Sequence, residues 1–375
     1  MDLGYFLMPM HPPGTPVTKW LDGDLQQIVA LDRLGFDEAW FGEHYTNEWE
    51  SLTSPDLFIA NALARTENIR LGTGVTSLSY HQPVQLASRI ALLDHLAKGR
   101  FMWGIGNGAL PTDGAMFDVD FSKREQRAGS RAVLDAVLNL WNNPEPGVYE
   151  TEFFKFTVPE PDDVTGTRYH MKPYTQPHPP IAAAGSGPKS DMLGYAGANG
   201  WIPMSVNFVI PWTVKKQWEV YEAAAVENGI VPDRRLWRVN REVVVARTDA
   251  EARELAKSGA LARDWMTYLI PLFRRLGEMI NVKIDPDMPD DLIDIDYFID
   301  NIWLVGSPET VTQKVKDLYE YTGGFGVLSV AGHDWDDAGQ SEESMRLLAE
   351  EVRPNLPTPA APEEQVMPVG AGQQS

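Results

Sequence analysis

Residues 185–190 have the types and spacing of a phosphate-binding turn. The apolar run 181–184 predicts a buried strand that ends at this turn, and Pro188 stands where a first helical residue is expected. Small residues let a ligand approach the backbone, while the start of a helix offers free N–H groups and favours an anion. Lys189 and Ser190 add a cation and a hydroxyl. The alternative is an ordinary strand-to-helix turn, which is common in α/β proteins.

His44 and the preceding Glu43 form a candidate acid–base pair. His44 follows an apolar segment predicted to be a strand, and histidine changes charge near neutral pH. With Glu43 as an orienting carboxylate, His44 can hold or move a proton. A histidine that only closes the strand end is the alternative.

Two further histidines follow predicted strands. His11 lies in a loop rich in proline and methionine, and His333 is followed directly by Asp334. Each histidine either lines a substrate pocket or fixes the conformation of its loop. The sequence alone leaves both readings open.

Composition excludes several classes of protein. The 375 residues carry a formal charge of −21, which argues against binding nucleic acid or an anionic membrane, since both require a basic face. There are no cysteines, so disulfides, thiolate metal sites and a cysteine nucleophile are excluded. No metal site is predicted. The lack of a basic start and of long apolar runs favours a cytoplasmic protein.

Strand-like and helix-like segments alternate along the chain. Eight such pairs in one chain favour a (β/α)8 TIM barrel, an α/β fold, over an open sheet. The predicted strands are 3–8, 37–42, 69–75, 101–105, 181–184, 201–204, 238–246 and 326–331. The predicted helices include 23–34, 55–65, 83–97, 127–141, 211–227 and 342–353.

Two segments interrupt this alternation. Residues 144–176, rich in proline and aromatics, predict a hairpin excursion before the fifth strand. Residues 280–321, with an aspartate-rich loop and an extra helix, predict an insertion before the eighth strand that can act as a lid. We therefore predict one domain over residues 1–353, followed by a disordered tail over 354–375 that is rich in Pro, Ala, Gly and Gln.

The active site of such a barrel lies at the carboxyl ends of its strands. The residues predicted at this mouth therefore form a testable set. It comprises Met10, His11, Glu43, His44, Tyr45, Gly74, Val75, Gly106, Asn107, residues 185–190, Ser205, Asn207, His333 and Asp334.

Several strand-end motifs together resemble the bacterial luciferase-like flavin monooxygenases, and especially their limonene monooxygenase-like members. The resemblance extends over about residues 3–353. Its motifs are GFDEAWFGEHYT at 35–46, IRLGTGVTSLSYHQP at 69–83, LAKGRFMWGIGNG at 96–108, PIAAAGSGPKSD at 180–191, GWIPMS at 200–205 and AGHDWDD at 331–337.

The resemblance implies FMN held across the barrel mouth. The phosphate is expected on Gly185, Ser186, Lys189 and Ser190, with Arg127 as a basic partner from the helix after the fourth strand. A non-prolyl cis peptide is expected between Gly74 and Val75, beneath the flavin ring. Asn107 and Ser205 complete the expected cofactor set.

His44 matches the catalytic histidine of the family. Three positions depart from the luciferases proper: Tyr45 replaces a second histidine, Gly106 a reactive cysteine, and Asn107 an arginine that contacts phosphate. These departures argue against light emission. Met10, His11, Tyr45, Trp103 and His333 are expected to bind substrate, although Trp103 can equally point into the barrel core.

The implied activity is monooxygenation with reduced FMN and O2. Oxygen attack at flavin C4a would give a peroxyflavin that transfers one oxygen atom to a small hydrophobic substrate, either a terpene olefin or a cyclic ketone. Two alternatives stay open, namely a deazaflavin- or flavin-dependent hydride transfer on the same fold and a flavin-binding protein without catalysis.

The resemblance also suggests partners. A separate NAD(P)H-dependent flavin reductase is expected to supply the reduced FMN, although limonene-type relatives leave direct use of NADPH open. A homodimer that pairs through the helices beside the second and third strands is expected.

Overall fold

A computed structural model describes residues 1–8 and 10–362 of the chain. It contains thirteen strands in these residues, and most of them begin or end within two residues of a predicted boundary. They are β1 Asp2–Leu7, β2 Glu38–Phe41, β3 Arg70–Thr73, β4 Thr76–Ser77, β5 Phe101–Gly106, β6 Gly147–Glu150, β7 Lys155–Val158, β8 Ile181–Gly185, β9 Ile202–Ser205, β10 Arg238–Arg241, β11 Val243–Val245, β12 Leu304–Gly306 and β13 Val327–Gly332.

Nine of these strands form a closed parallel barrel with eight strand positions, which confirms the predicted TIM barrel. The order is β3-β2-β1-β13-β10-β9-β8-β5-β4, and pairing of β3 with β5 closes the ring. The third position is divided between β3 and β4, on either side of Gly74 and Val75.

Helices surround the barrel. Two of them, α3 and α7, match their predicted bounds at both ends, and each begins with a proline at its first position, where no N–H partner is needed. The helices are α1 Val17–Arg33, α2 Pro55–Leu63, α3 Pro83–Ala97, α4 Pro111–Met116, α5 Glu125–Trp141, α6 Asp191–Asn199, α7 Pro211–Glu227, α8 Asp249–Ser258, α9 Ala260–Asp264, α10 Ile270–Leu276, α11 Ile295–Asn301, α12 Pro308–Thr322 and α13 Ala338–Leu347.

The amino-terminal end of the barrel contains an ion cluster formed by the first residues of β2, β3 and β10. Arg238 donates from Nε and Nη2 to the two carboxylate oxygens of Glu38 at 3.0 and 2.8 Å, and Arg70 donates to the same carboxylate at 3.1 Å. Burial alone would raise the pKa of Glu38, but the two arginines hold it below its usual value. This cluster lies at the end of the barrel opposite the mouth formed by the carboxyl ends of the strands.

The excursion contains the predicted hairpin, since β6 and β7 pair in antiparallel fashion between Gly147 and Val158. The seventh predicted strand is interrupted at Glu242. Its first part, β10, belongs to the barrel, whereas its second part, β11, leaves the barrel and pairs with β12.

Residues 246–305 form a cap with its own hydrophobic core. Its buried aromatic residues include Trp265, Tyr268, Phe273, Phe298 and Trp303. Met10, which follows β1, and Ile210, which precedes α7, pack into the same core. The cap therefore sits against loops that leave the carboxyl ends of β1 and β9.

The boundary between domain and tail differs from the prediction. Leu356 is buried in the main hydrophobic core, and the amino group of Met1 donates to the Thr358 hydroxyl at 2.5 Å. Residues 354–358 are therefore part of the folded domain, while the predicted disorder of 363–375 lies outside the described residues. Within the described part of the chain, no helix combines the length and apolarity needed to cross a membrane.

Candidate functional site

Asp113 fixes the orientation of His44. Its carboxylate is 1% exposed and accepts the Nδ1–H of His44 at 2.8 Å. It also accepts the backbone N–H groups of Tyr45 and Thr46 at 3.1 and 2.7 Å, and the hydroxyl of Thr46 at 2.6 Å. Because an ionised carboxylate only accepts hydrogen bonds, these contacts place a proton on Nδ1 and direct Nε2 away from Asp113.

Glu50 faces the other ring nitrogen of His44. Its Oε2 lies 3.5 Å from Nε2 and has no hydrogen-bond partner among the described residues. Burial alone would lower the pKa of His44, but the negative charges of Glu50 and Asp113 outweigh it and raise that pKa. The two carboxylates therefore favour the protonated form of the His44 ring.

Tyr268 connects this pair to the cap. Its hydroxyl donates to Oε1 of Glu50 and accepts from the side-chain amide of Asn47, and its ring stacks on Trp49 at 5.3 Å. Burial and the Glu50 charge raise the pKa of Tyr268, so it remains a neutral donor. We call His44, Asp113, Glu50 and Tyr268 the His44 cluster.

The predicted orienting role of Glu43 is wrong. Its carboxylate accepts the hydroxyl of Tyr45 at 2.8 Å, the backbone N–H of Ser77 at 2.5 Å and a ring N–H of His81 at 2.9 Å. All three contacts lie away from the His44 ring nitrogens. Glu43 instead holds the segment that follows β2 against strand β4. Successive residues of an extended backbone point in opposite directions, so the side chains of Glu43 and His44 diverge.

Tyr45 belongs to an aromatic group that the sequence analysis missed. Its ring lies 6.1 Å from that of Tyr80 and 4.7 Å from that of Phe117, both edge to face, while Tyr80 and Phe117 stack at 4.9 Å. The hydroxyl of Tyr80 is buried without a partner among the described residues. This group supplies an apolar wall beside the His44 cluster.

The cis peptide between Gly74 and Val75 is present as predicted. A Cβ at Gly74 would lie 2.8 Å from the ring of Phe6, and a Cβ at Gly106 would lie 2.4 Å from the side chain of Val75. Both positions therefore require glycine. The cysteine of the luciferases proper would not fit at Gly106 in this arrangement.

The expected phosphate ligands meet at the start of α6. Ser190 caps the helix, its hydroxyl accepting the N–H of Leu193 at 3.4 Å, and Nη1 of Arg127 forms an ion pair with Asp191. Ser186 and Lys189 are exposed on the same turn. We call Arg127, Ser186, Lys189, Ser190 and Asp191 the α6 corner. The helix begins at Asp191 rather than at Pro188, because Ser190 takes the capping position.

The corner fits a phosphate group. Arg127, Lys189 and the hydroxyls of Ser186 and Ser190 supply cationic and neutral donors, and the first turn of α6 adds backbone N–H groups. A Cβ at Gly187 would meet nothing within 4 Å, so the turn is open to a ligand. Asp191 is the one feature that opposes an anion there.

Four predicted site residues have their side chains engaged elsewhere. The Ser205 hydroxyl is buried and accepts Nε1–H of Trp237 at 3.0 Å, and its expected cofactor contact stays a prediction. Trp103 packs on Trp141 and donates to Thr76, so it points into the core. Met10 is 1% exposed and packs into the cap.

His11 is the fourth such residue, and its contacts agree with the second of its two open readings, in which it fixes its loop. It is buried, stacks on Trp20 and lies 3.2 Å from Asp24 and 3.4 Å from Asp334. Burial alone would lower the pKa of His11, but the two carboxylates raise it to about 9. His11 therefore holds α1 to the loop after β13.

His333 and Asn107 lie near strand ends, and neither is fully buried. Nδ1 of His333 bonds Asp264 at 2.9 Å, while its Nε2 has no partner in the described part of the chain. Asn107 follows β5 and is half-buried. Their expected substrate and cofactor contacts stay predictions.

Sequence reasoning missed Asp113 and Glu50, which surround His44. Asp113 had a usable signal, since it lies in the first turn of a helix that begins with Pro111 after the fourth barrel strand. No signal in the sequence indicated Glu50, because its approach to His44 depends on how the loop 45–54 folds back against the cap.

Comparison with known proteins identifies the family of this chain. The family model of luciferase-like monooxygenases matches residues 1–324. The 3,6-diketocamphane 1,6-monooxygenase of Pseudomonas putida is 31% identical, with 96% of this chain and 99% of that protein covered. Limonene 1,2-monooxygenase of Rhodococcus erythropolis is also 31% identical, with coverages of 95% and 87%.

A solved structure is similar over almost the whole chain. It is the oxygenating constituent of 3,6-diketocamphane monooxygenase from Pseudomonas putida, a type II Baeyer–Villiger monooxygenase, in complex with FMN. The TM-score is 0.90 at 32% identity, covering 96% of this chain and 99% of that one. This chain therefore belongs to the luciferase-like monooxygenase family.

Proposed function

We propose that this enzyme uses reduced FMN and O2 to insert one oxygen atom into a small hydrophobic cyclic ketone. The products are the corresponding lactone, oxidised FMN and water, which balances both atoms of O2 and the two electrons of the flavin. The observation that carries the proposal is the TM-score of 0.90 to an FMN-bound ketone monooxygenase. An olefin that becomes an epoxide is the second candidate, favoured by the likeness to limonene 1,2-monooxygenase.

The α6 corner would hold the phosphate of FMN, and the mouth beside Gly74, Val75 and Asn107 would hold its ring. Gly187 leaves the turn before α6 open, whereas Gly185 and Gly106 let Leu193 and Val75 pack closely against the backbone. Reduced FMN, when bound, supplies the electrons and activates O2 for transfer to the substrate.

His44 would supply a proton at Nε2 while Asp113 keeps its ring in place. Glu50 keeps that proton on the ring until the substrate or the reacting oxygen approaches, and Tyr45 with its aromatic neighbours keeps water away. The cap closes over the same region, because Tyr268 reaches Glu50 from it.

We propose that a separate NAD(P)H-dependent flavin reductase delivers the reduced FMN. The similar protein from Pseudomonas putida is described as the oxygenating constituent of its system. This chain has the same fold and covers nearly all of that protein, so it is suited to act as an oxygenase that receives reduced FMN from a separate reductase.

We also propose a homodimer that pairs through α2 and α3. Leu57, Leu92 and Leu96 expose 70%, 51% and 58% of their surface on these two helices. Exposed leucines on adjacent helices are typical of a surface that another chain covers. Light scattering should give twice the chain mass, and Leu92→Glu with Leu96→Glu should halve it; a monomeric wild type would contradict the proposal.

The activity is tested by adding photoreduced FMN to the protein under 18O2 with a panel of bicyclic ketones and terpene olefins. Mass spectrometry should show one 18O atom in a lactone, with no product from oxidised FMN or without O2. Epoxides alone would favour the second candidate. Substrate turnover with a reduced deazaflavin and no oxygen uptake would overturn monooxygenation in favour of hydride transfer.

A further inference from the structure

Gln217 on α7 contacts the turn that leads into the α6 corner. Its side chain is buried, and Nε2 donates to the carbonyl oxygens of Gly185 at 2.8 Å and Gly187 at 3.3 Å. One side-chain amide from a different helix therefore holds two of the carbonyl groups in residues 185–190.

The contact with Gly185 fixes the direction of the next backbone N–H group. The peptide bond between Gly185 and Ser186 is planar and trans, so its C=O and N–H groups point in opposite directions. The backbone N–H of Val206, which follows β9, donates to the same Gly185 oxygen at 3.4 Å. This oxygen therefore points toward β9 and α7, and the N–H of Ser186 points away from them.

The opposite flank of the turn is the flank of Arg127. Strand β8, which ends at Gly185, lies between β9 and β5 in the barrel. Helix α7 follows β9, whereas α5, which carries Arg127, comes after β5. The Ser186 N–H therefore points toward the side from which Arg127 reaches the start of α6. An anion in the α6 corner can then contact a backbone donor and a guanidinium together.

The second contact of Gln217 acts on a peptide group that has no donor. Residue 188 is proline, so the peptide between Gly187 and Pro188 has an oxygen but no N–H. A carbonyl oxygen carries partial negative charge, so it opposes a nearby anion. Because they accept from the buried Gln217, the oxygens of Gly185 and Gly187 are kept on the inner side of the turn.

Close packing of α7 against α6 fixes the position of Gln217. A Cβ at Gly197 of α6 would lie 2.2 Å from the carbonyl oxygen of Tyr221 on α7. Thr213, Gln217 and Tyr221 follow one another at intervals of four residues and are all buried, so they share one face of α7. The backbones of the two helices thus approach each other closely, which determines where α7 presents Gln217.

A role in packing alone does not explain a glutamine at this position. Oε1 of Gln217 has no hydrogen-bond partner among the described residues, and a buried polar atom without a partner destabilises the fold. An apolar side chain of similar size, such as methionine, would fill the space without that cost. What the glutamine adds is the pair of N–H donors that hold the turn.

We propose that Gln217 is a positioning residue for phosphate binding. It orients residues 185–187 so that the Ser186 N–H faces the phosphate and two carbonyl oxygens face away from it. This role rests on the proposed binding of the FMN phosphate at the α6 corner. Gln217 acts through the backbone, so its loss should weaken the grip on the phosphate and leave the contacts of the flavin ring unchanged.

Fluorescence titration with FMN and with riboflavin, which lacks the phosphate, tests the proposal. We expect the wild type to bind FMN about tenfold or more tightly than riboflavin. Gln217→Met should weaken FMN binding about five- to tenfold and leave riboflavin binding within about twofold. Gln27→Met is the matched control, because Gln27 is also buried on a helix and donates to a loop carbonyl, that of His333, at 3.4 Å. It should leave the ratio of the two affinities unchanged.

Ser186→Pro and Ser186→Ala give a second test that leaves Gln217 in place, and it applies even if Gln217→Met does not fold. Both variants remove the hydroxyl of Ser186, but only proline removes the backbone N–H. Ser186→Pro should therefore bind FMN about fivefold or more weakly than Ser186→Ala, with similar riboflavin affinities.

Three results would overturn the positioning role. They are a wild-type ratio of FMN to riboflavin affinity in folded Gln217→Met, equal losses of FMN and riboflavin binding in that variant, and equal FMN affinities of the two Ser186 variants. A wild-type protein that does not prefer FMN to riboflavin would overturn the phosphate site of the proposed function, and the role of Gln217 with it. The wild-type titration therefore separates failure of the proposed function from failure of the role of Gln217.

Discussion

The α6 corner and the His44 cluster are built in opposite ways. The α6 corner is formed mostly by six consecutive residues, is exposed, and needs only Arg127 from elsewhere in the chain. The His44 cluster joins residues 44, 50, 113 and 268 in a buried network. A site made by one turn can be recognised from its sequence, whereas a site made by four segments depends on the fold.

The difference also divides the work between the two regions. The corner is open and cationic, which suits capture of an anionic group from solvent. The His44 cluster is largely buried and places a histidine between two carboxylates that raise its pKa, which suits proton transfer away from water. Variants in one region should therefore alter binding, and variants in the other should alter turnover.

Asp113→Asn should have the largest effect in this comparison. We expect kcat to fall about 10–100-fold, because the ring of His44 loses the acceptor that orients it. The pKa of His44 should also fall, since the negative charge that raises it is removed. If the protonated histidine is the active form, the loss of activity at high pH should move to lower pH in a pH–rate profile.

Glu43→Gln is the matched control, because it also changes a carboxylate to an amide. It breaks contacts to Tyr45, Ser77 and His81 but none to His44. The pH–rate profile should shift much less than in Asp113→Asn. An equal shift in both variants would restore Glu43 as the partner of His44.

Arg127→Met should weaken FMN binding about tenfold or more while leaving kcat at saturating FMN within about twofold, since it removes a charge-assisted contact to phosphate. Fluorescence titration with FMN measures the affinity. Lys123→Met is the charge-matched control, because Lys123 lies just before α5 and pairs with Asp120 instead. If both variants lost FMN affinity to the same extent, the change in net charge alone would explain the effect of Arg127→Met.

His11→Gln should change stability rather than function. Because the pKa of His11 is raised to about 9 in the fold, protonated His11 stabilises the protein most below about pH 6.5, and this contribution is lost as pH rises through about 9. Denaturant unfolding should therefore show a larger difference between wild type and variant at pH 6 than at pH 9.5. A difference independent of pH would contradict the ion pairs with Asp24 and Asp334.

Asp191→Asn should have the smallest effect and the opposite direction to Arg127→Met. Removing the carboxylate that now pairs with Arg127 frees the guanidinium for phosphate. We expect FMN to bind about two- to fivefold more tightly, in line with the small energy of an exposed ion pair. Weaker binding would mean that Asp191 supports the site instead of competing with it.

The sequence was sufficient for the barrel, because alternating strands and helices set the architecture and Pro83 and Pro211 mark helix starts. It was also sufficient for the position of His44 and for the cis peptide after β3. It failed at Glu43, because adjacent residues on an extended segment point to opposite sides. It left two readings open for Trp103 and His11, because their burial depends on Trp141, Asp24 and Asp334, which lie far away in the sequence.

The split of the seventh strand at Glu242 was another feature that periodicity could not reveal. β10 and β11 were predicted as one strand over 238–246, but the pairing of β11 with β12 depends on the insertion. The cap therefore depends on contacts between segments that are distant in the sequence. The approach of Glu50 and Tyr268 to His44 depends on the same contacts.

The central claim is that His44 acts in turnover and not in holding the flavin. His44→Asn tests it most directly, with FMN affinity and 18O incorporation measured on the same preparation. We predict unchanged FMN affinity and a fall in product formation of about 10²–10⁴-fold. Product formation at the wild-type rate, or loss of FMN binding together with activity, would contradict the claim.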